Sequence, residues 1–139
     1  MKDFVTFEIA KKLKEKGFME KCFLHYEATG GVYSNSIYAY DSPNQELDYS
    51  DFLKCYNGGN SIGLIDAPTI SQVLKWLREE KELHIEIYMY YNCYLFEIYN
   101  TKIYDADFTQ KSEKYSEIEY ENYEQAALAG IEYVLDNLI

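Results

Sequence analysis

The sequence predicts an α+β fold: a small antiparallel sheet, centred on a hairpin over about residues 83–100 and extended by one or two further strands, packed by three helices over about residues 5–16, 70–81 and 122–138. Three observations predict it. Leu83, Ile85, Ile87 and Met89 alternate with His84, Glu86, Tyr88 and Tyr90, the period of a strand with one buried face. Ile70, Val73, Leu74 and Leu77 recur at i, i+3, i+4 and i+7, the period of a helix. Tyr123, Ala127, Ile131, Val134, Leu135 and Leu138 build a second helical face at the end of the chain. A chain of 139 residues falls in the single-domain range, read here as one domain over 1–139 that buries roughly two-thirds of its unfolded surface.

The elements follow in order. Ile9, Ala10 and Leu13 share one face of a helix from about Val5 to Lys16, which Gly17 stops. Its lysines crowd toward the C-terminal end, where they complement the helix dipole. Cys22 to Glu27 reads as a short strand ending at Thr29-Gly30-Gly31, and Val32 to Tyr40 as its hairpin partner. From Asp41 to Asp66 turn formers dominate, Asp41-Ser42-Pro43-Asn44 and then Asn57-Gly58-Gly59-Asn60. A loop that long is often functional, so 41–66 is where an unexpected site would lie.

The second helix is preceded by Pro68, and Thr69 and Gln72 have the spacing of a capping box. Trp76 falls off the centre of its apolar stripe and is expected buried or half-buried at the helix edge. In the hairpin, a turn at Asn92-Cys93 sets Tyr91 opposite Tyr94, Met89 opposite Phe96 and Ile87 opposite Ile98, so the apolar faces of both strands coincide. Residues 101–121 are polar and acidic, with Ile103 and Tyr104 extending a strand and Ile118 contributing to another. Asn122 and Gln125 then repeat the cap spacing, and Ala126, Ala127, Ala129 and Gly130 permit close approach of the last helix to the sheet.

Charge excludes one class of partner. Twelve lysines and Arg78 against 24 acids give a net charge of −11, and nucleic-acid binding needs Lys and Arg to neutralise phosphates, so direct nucleic-acid binding is not expected. The charge is uneven, +2 over residues 1–21 and −7 over 105–139. Cys22, Cys55 and Cys93 are an odd set without paired spacing, which fits a reducing compartment. No signal-peptide core opens the chain, and no run of about 18 uncharged apolar residues could span a bilayer, so no membrane and a cytoplasmic location are expected.

Chemistry-bearing residues are sparse. Cys22 and His25 lie three apart, which on a strand puts them on opposite faces, and no second pair exists to complete a zinc site. His84 could act as a general base near Glu86, Glu97 and Tyr99, but in the register above Glu86 faces Tyr99 and Tyr88 faces Glu97, an ordinary cross-strand pairing. The glycine-rich run 57–63 lacks the Lys-Ser/Thr of a phosphate-binding loop. No metal, cofactor or catalytic set is therefore predicted. What remains is a surface: Tyr88, Tyr90, Leu95 and Tyr99 share the hairpin face opposite Ile85, Ile87, Phe96 and Ile98; either the 101–121 segment or the first helix covers that face, or it is exposed and Tyr88, Tyr90 and Tyr99 are the candidate binding residues. The 16 tyrosines also fit the codon bias of an A+T-rich genome.

The segments Ala67-Pro68-Thr69-Ile70-Ser71-Gln72-Val73-Leu74-Lys75-Trp76-Leu77-Arg78-Glu79-Glu80-Lys81 and Tyr123-Glu124-Gln125-Ala126-Ala127 through Gly130-Ile131 to Leu138-Ile139 resemble small uncharacterised proteins encoded by phages and prophages of gut bacteria. The resemblance implies origin in a mobile genetic element and carries over no catalytic residue. Three functions are then expected, in order. The first is a non-enzymatic accessory protein that binds another protein or itself. Next comes an acidic decoy of a nucleic-acid-binding host protein. Last is a small enzyme using the 41–66 loop with His25 or His84.

Overall fold

The structure, a computed structural model, describes residues 3–29, 32–39, 63–104 and 110–139. It has the expected α+β class, with three helices and antiparallel sheets among the described residues. The chain divides into two compact units, Phe4–Thr69 and Ile70–Ile139 with Met1–Asp3.

In the unit formed by Phe4–Thr69, α1 spans Phe7–Glu15, and the Thr6 hydroxyl accepts the Ile9 N–H at 3.3 Å as its N-cap. Ile9, Ala10 and Leu13 are its buried stripe, as their spacing predicts. Gly17 takes φ +86°, and the Phe18 and Gly17 N–H groups bond back to the Leu13 and Lys14 carbonyls at 2.9 and 3.2 Å, the double bond of a Schellman stop. Strands β1 (Leu24–Thr29), β2 (Val32–Ala39) and β3 (Gly63–Asp66) form a sheet of order β2-β1-β3; the β1–β2 register shifts between Tyr26 and Ala28, where β2 carries the extra residues between Ile37 and Tyr33. Tyr26 is buried, donates its hydroxyl to the Val5 carbonyl at 2.6 Å and meets the Phe7 ring edge-on. β1 starts two residues later than Cys22, and Tyr40 lies outside the described residues.

The loop expected over 41–66 ends earlier than expected, because Gly63–Asp66 is a strand whose partners are Ala28 to His25. Its two apolar residues, Leu64 and Ile65, form no alternation that would mark a strand; it is held by main-chain pairing with β1 and by the buried side chain of Ile65. Residues 41–62, and with them all of the glycine-rich run except Gly63, lie outside the described residues.

In the other unit, α2 (Ile70–Glu80) leads into β4 (Leu83–Tyr90), β5 (Cys93–Tyr104), β6 (Gln110–Tyr115) and α3 (Tyr123–Asn137), with sheet order β4-β5-β6. α2 buries Ile70, Val73, Trp76 and Leu77, while Leu74 is half-buried, so the stripe is rotated toward Trp76 relative to expectation. The Lys81 ammonium lies 5.2 Å from the centre of the Trp76 ring. Glu82, at φ 60°, turns the chain from α2 into β4, and its carbonyl accepts both the Thr101 N–H at 2.8 Å and the Thr101 hydroxyl at 3.1 Å. The acidic segment after the hairpin yields β6, an extension of β5 through Ile103 and Tyr104, and a bridge between Tyr94 and Tyr120. Ile118 joins no strand and is 61% exposed.

α3 begins as predicted: the Asn122 side chain accepts the Gln125 N–H at 2.9 Å and Gln125 in turn accepts the Glu121 N–H at 3.3 Å. Ala126, Ala127, Gly130, Ile131, Val134 and Leu135 are buried against the sheet, whereas Tyr123 at the first turn is largely exposed. Gly130 is where helix and sheet meet most closely, since a Cβ there would stand 3.0 Å from Ile85 Cγ2 and 3.3 Å from Phe96 Cγ.

Candidate interaction surface

The geometry of the predicted surface depends on the hairpin register. The structure pairs Leu83 with Asn100, Ile85 with Ile98, Ile87 with Phe96 and Tyr90 with Cys93, so the two-residue turn is Tyr91-Asn92 and not Asn92-Cys93. This is a slip of two residues from the expected register. Because strand side chains alternate with period two, such a slip leaves every residue on its expected face but changes every partner. Glu86 therefore faces Glu97 instead of Tyr99, Tyr88 faces Leu95 instead of Glu97, and Tyr99 faces His84.

The outer face is thus a series of rows: His84 with Tyr99, Glu86 with Glu97, Tyr88 with Leu95, and Tyr90 with Cys93. None of these eight is buried, while Leu83, Ile85, Phe96 and Ile98 of the inner face all are. Tyr90 is 50% exposed, and Tyr88, Leu95 and Tyr99 are half-buried. Tyr88 and Tyr90 stand together near the turn. Tyr99 stands apart from them along the register, beyond the carboxylate row, so the three candidate tyrosines do not occupy adjacent rows. β6 adds Tyr115, opposite Glu97 and 62% exposed, which the alternation within 83–100 could not reveal.

Like charges directly opposite one another are unfavourable in a sheet, so the Glu86–Glu97 row lowers stability. It also adds to the effect of burial on Tyr99. Desolvation by burial, a hydrogen bond with Glu97 and the nearby negative charges push its phenol up to about 12, which keeps it neutral. Cys93 at the turn end is likewise held protonated, by desolvation and by interaction with Glu119 and Glu121, so it is a poor nucleophile.

The turn carries a feature that sequence reasoning missed. Tyr91 has φ 52°, the left-handed region normally occupied by Gly or Asn, and it is 83% exposed, beside Met89 at 63%. Its ring meets that of Tyr90 edge-on, with centroids 4.7 Å apart. The hairpin thus ends in three consecutive exposed large side chains, Met89-Tyr90-Tyr91. The adjacency of two tyrosines to Asn92 was the available signal, but it pointed equally to a turn one residue later.

The two histidines belong to different units, and His84 shares the outer face with Tyr99, its cross-strand partner. His84 is half-buried in the outermost row, and His25 is buried on β1, with Nε2 2.9 Å from Glu27 Oε1. The Cys22 thiol is directed to the Glu20 carbonyl at 3.4 Å, and burial first, then Asp66 and Glu20, push it up to about 12. Among the described residues no group of three or more His, Cys, Asp or Glu is placed to hold a metal ion, and no helix is long and apolar enough to cross a membrane.

Fold and surface define a small acidic α+β protein that carries an antiparallel sheet with one face under helices and the other rich in tyrosine and carboxylate. The chain matches no family model, no curated protein and no solved structure.

Proposed function

We propose that the chain is a non-enzymatic accessory protein of phage or prophage origin that acts in the cytoplasm by binding another protein, with the outer face of the β4–β5–β6 sheet as its contact surface. One observation carries this reading: on the same two strands the inner face is buried, while the outer face presents Tyr88, Tyr90 and Leu95 unburied beside the exposed Tyr91 turn. Tyrosine brings large contact area with few rotatable bonds, which is why it is enriched at interface centres. The Glu86–Glu97 row beside it selects a partner that brings a Lys or Arg to that position, since such a cation relieves their repulsion. Among the described residues Cys22 and Cys93 are free thiols, which is compatible with a reducing compartment.

The test introduces a photo-crosslinking residue at Tyr91 and compares the products of the parent chain with those of a Tyr88→Ser/Tyr90→Ser variant in host cells. One discrete crosslinked protein, lost in the double variant, supports the reading; the same product from both variants overturns it. Sedimentation velocity over a range of concentrations separates a heterologous partner from self-association through the same face.

A second reading has its own support. The −7 charge over 105–139 suits an acidic decoy that occupies a basic host protein, and it requires those acids to form one surface.

A further inference from the structure

α3 has two faces, and the second is unexplained by packing. Ala126, Ala127, Gly130, Ile131, Val134 and Leu135 are buried. Ala129, Glu132, Tyr133, Asp136 and Asn137 recur at i, i+3, i+4, i+7 and i+8, which places them on one other stripe of the helix. That stripe forms one wall of an open groove of about 440 Å³, on the helix-bearing side of the β4–β5–β6 sheet; the opposite wall is the segment from Lys114 to Tyr120.

We infer that this groove receives a lysine or arginine side chain from a basic segment of a protein partner. Its floor and walls are apolar enough for an alkyl stem, through Ile118 and the rings of Tyr120 and Tyr133. Its charged lining is Lys114 against Glu117, Glu132 and Asp136, a formal −2. The two sets together match a side chain with an apolar stem and a cationic head, which neither would do alone.

Two further observations point to a cation. The last turn of α3 contains no basic residue, although a cation there would complement the partial negative charge of the helix end. Asp136 instead stands in that turn, four residues after Glu132, an i,i+4 pair of like charges. An ammonium or guanidinium placed in the groove complements both features. The groove also already holds one lysine of its own. Lys114 Nζ lies 2.9 Å from Glu117 Oε1 and 5.4 Å from the centre of the Tyr133 ring, which is recognition of a lysine head by a carboxylate and an aromatic face. Glu132 and Asp136 each interact with neighbouring groups too, so an incoming cation shares these carboxylates.

This inference does not rest on the tyrosine face, which lies on the other side of the sheet. It names the kind of partner surface that would fit the acidic C-terminal region.

The experiment titrates the full chain with three short amidated peptides, alanine-flanked lysine, arginine and norleucine, followed by two-dimensional NMR of the backbone amides. The Lys and Arg peptides are expected to give saturable shifts over 116–120 and 129–137, and norleucine, with the stem but no charge, to bind roughly tenfold or more weakly. Glu132→Gln/Asp136→Asn should lose roughly tenfold in affinity, whereas Glu79→Gln/Glu80→Gln, an equal charge change on α2, should keep it. Asp136→Lys should abolish the shifts and raise the melting temperature by about 2 °C. No saturable shift, equal binding of norleucine, equal loss in both charge-matched variants, or binding retained by Asp136→Lys would each overturn the proposal.

Discussion

The two faces of the β4–β5–β6 sheet are made by alternate residues of the same strands, and they differ in almost every physical respect. Inward, Ile85, Ile98 and Phe96 are sealed by α3, with Ile98 at 0% exposure. Outward, the neighbours Glu86, Glu97 and Tyr99 keep solvent contact, and two carboxylates oppose one another. The inner face contributes stability, about 1.5–3 kcal/mol for each large apolar side chain fully buried. The outer face gives some of it up at the Glu86–Glu97 row. One backbone thus separates the two roles by side-chain parity.

The contrast predicts a graded series of effects. Ile98→Ala, at the centre of the inner face, is expected to lose about 3–4 kcal/mol in urea denaturation, because it removes buried methyl groups and leaves a cavity under α3. Gly130→Leu attacks the same face from the helix side and should lose about 2–3 kcal/mol, since a Cβ already meets Ile85 and Phe96 with no room to spare.

The outer face responds to pH instead. Tyr99 is raised from 10.0 to about 12 in the folded chain, so folding favours its neutral form. That contribution is intact below about pH 10 and is lost as the pH rises through about 12. Ultraviolet titration should show a late-ionising phenol that disappears in Tyr99→Phe; an unchanged titration in that variant would contradict the assignment. Tyr91→Asn relieves a left-handed conformation that a bulky residue disfavours and should gain about 0.5–1 kcal/mol. Tyr90→Ser, the smallest effect on folding, should stay within about 0.5 kcal/mol by the same denaturation measurement while crosslinking to the partner is lost.

The fold was legible where local chemistry acts alone. The Asn122–Gln125 cap, the Gly17 stop and the stripe of α1 all follow from spacing, because caps and helical faces involve residues three or four apart. The faces of the hairpin were legible too, since parity survives a slip of two. Its register was not. Ile98 opposite Ile87 and Ile98 opposite Ile85 are both apolar pairs, and the pattern alone cannot choose between them. The choice falls on a turn that puts Tyr91 at positive φ, against turn preference. Strand β3 escaped notice because four residues carry too little pattern, and its formation depends on pairing with a distant segment. For the candidate surface, membership was readable and contiguity was not: the carboxylate row between Tyr99 and Tyr88 exists only in the observed register. The groove on α3 was unreadable because its other wall, 114–120, has no periodic signature.

The two-residue turn has a further consequence for how the chain is made. α2, β4 and β5 are contiguous in sequence, so their contacts close short loops and form on the timescale of a hairpin, far faster than synthesis adds residues. On the ribosome, this stretch is complete while α3, which starts at Tyr123, has yet to emerge. During that interval the nascent hairpin has no lid over Ile85, Phe96 and Ile98, and both of its faces are sticky. The carboxylates of 86 and 97 then serve the newborn chain as gatekeepers, charges that discourage neighbouring nascent chains from adding to the sheet.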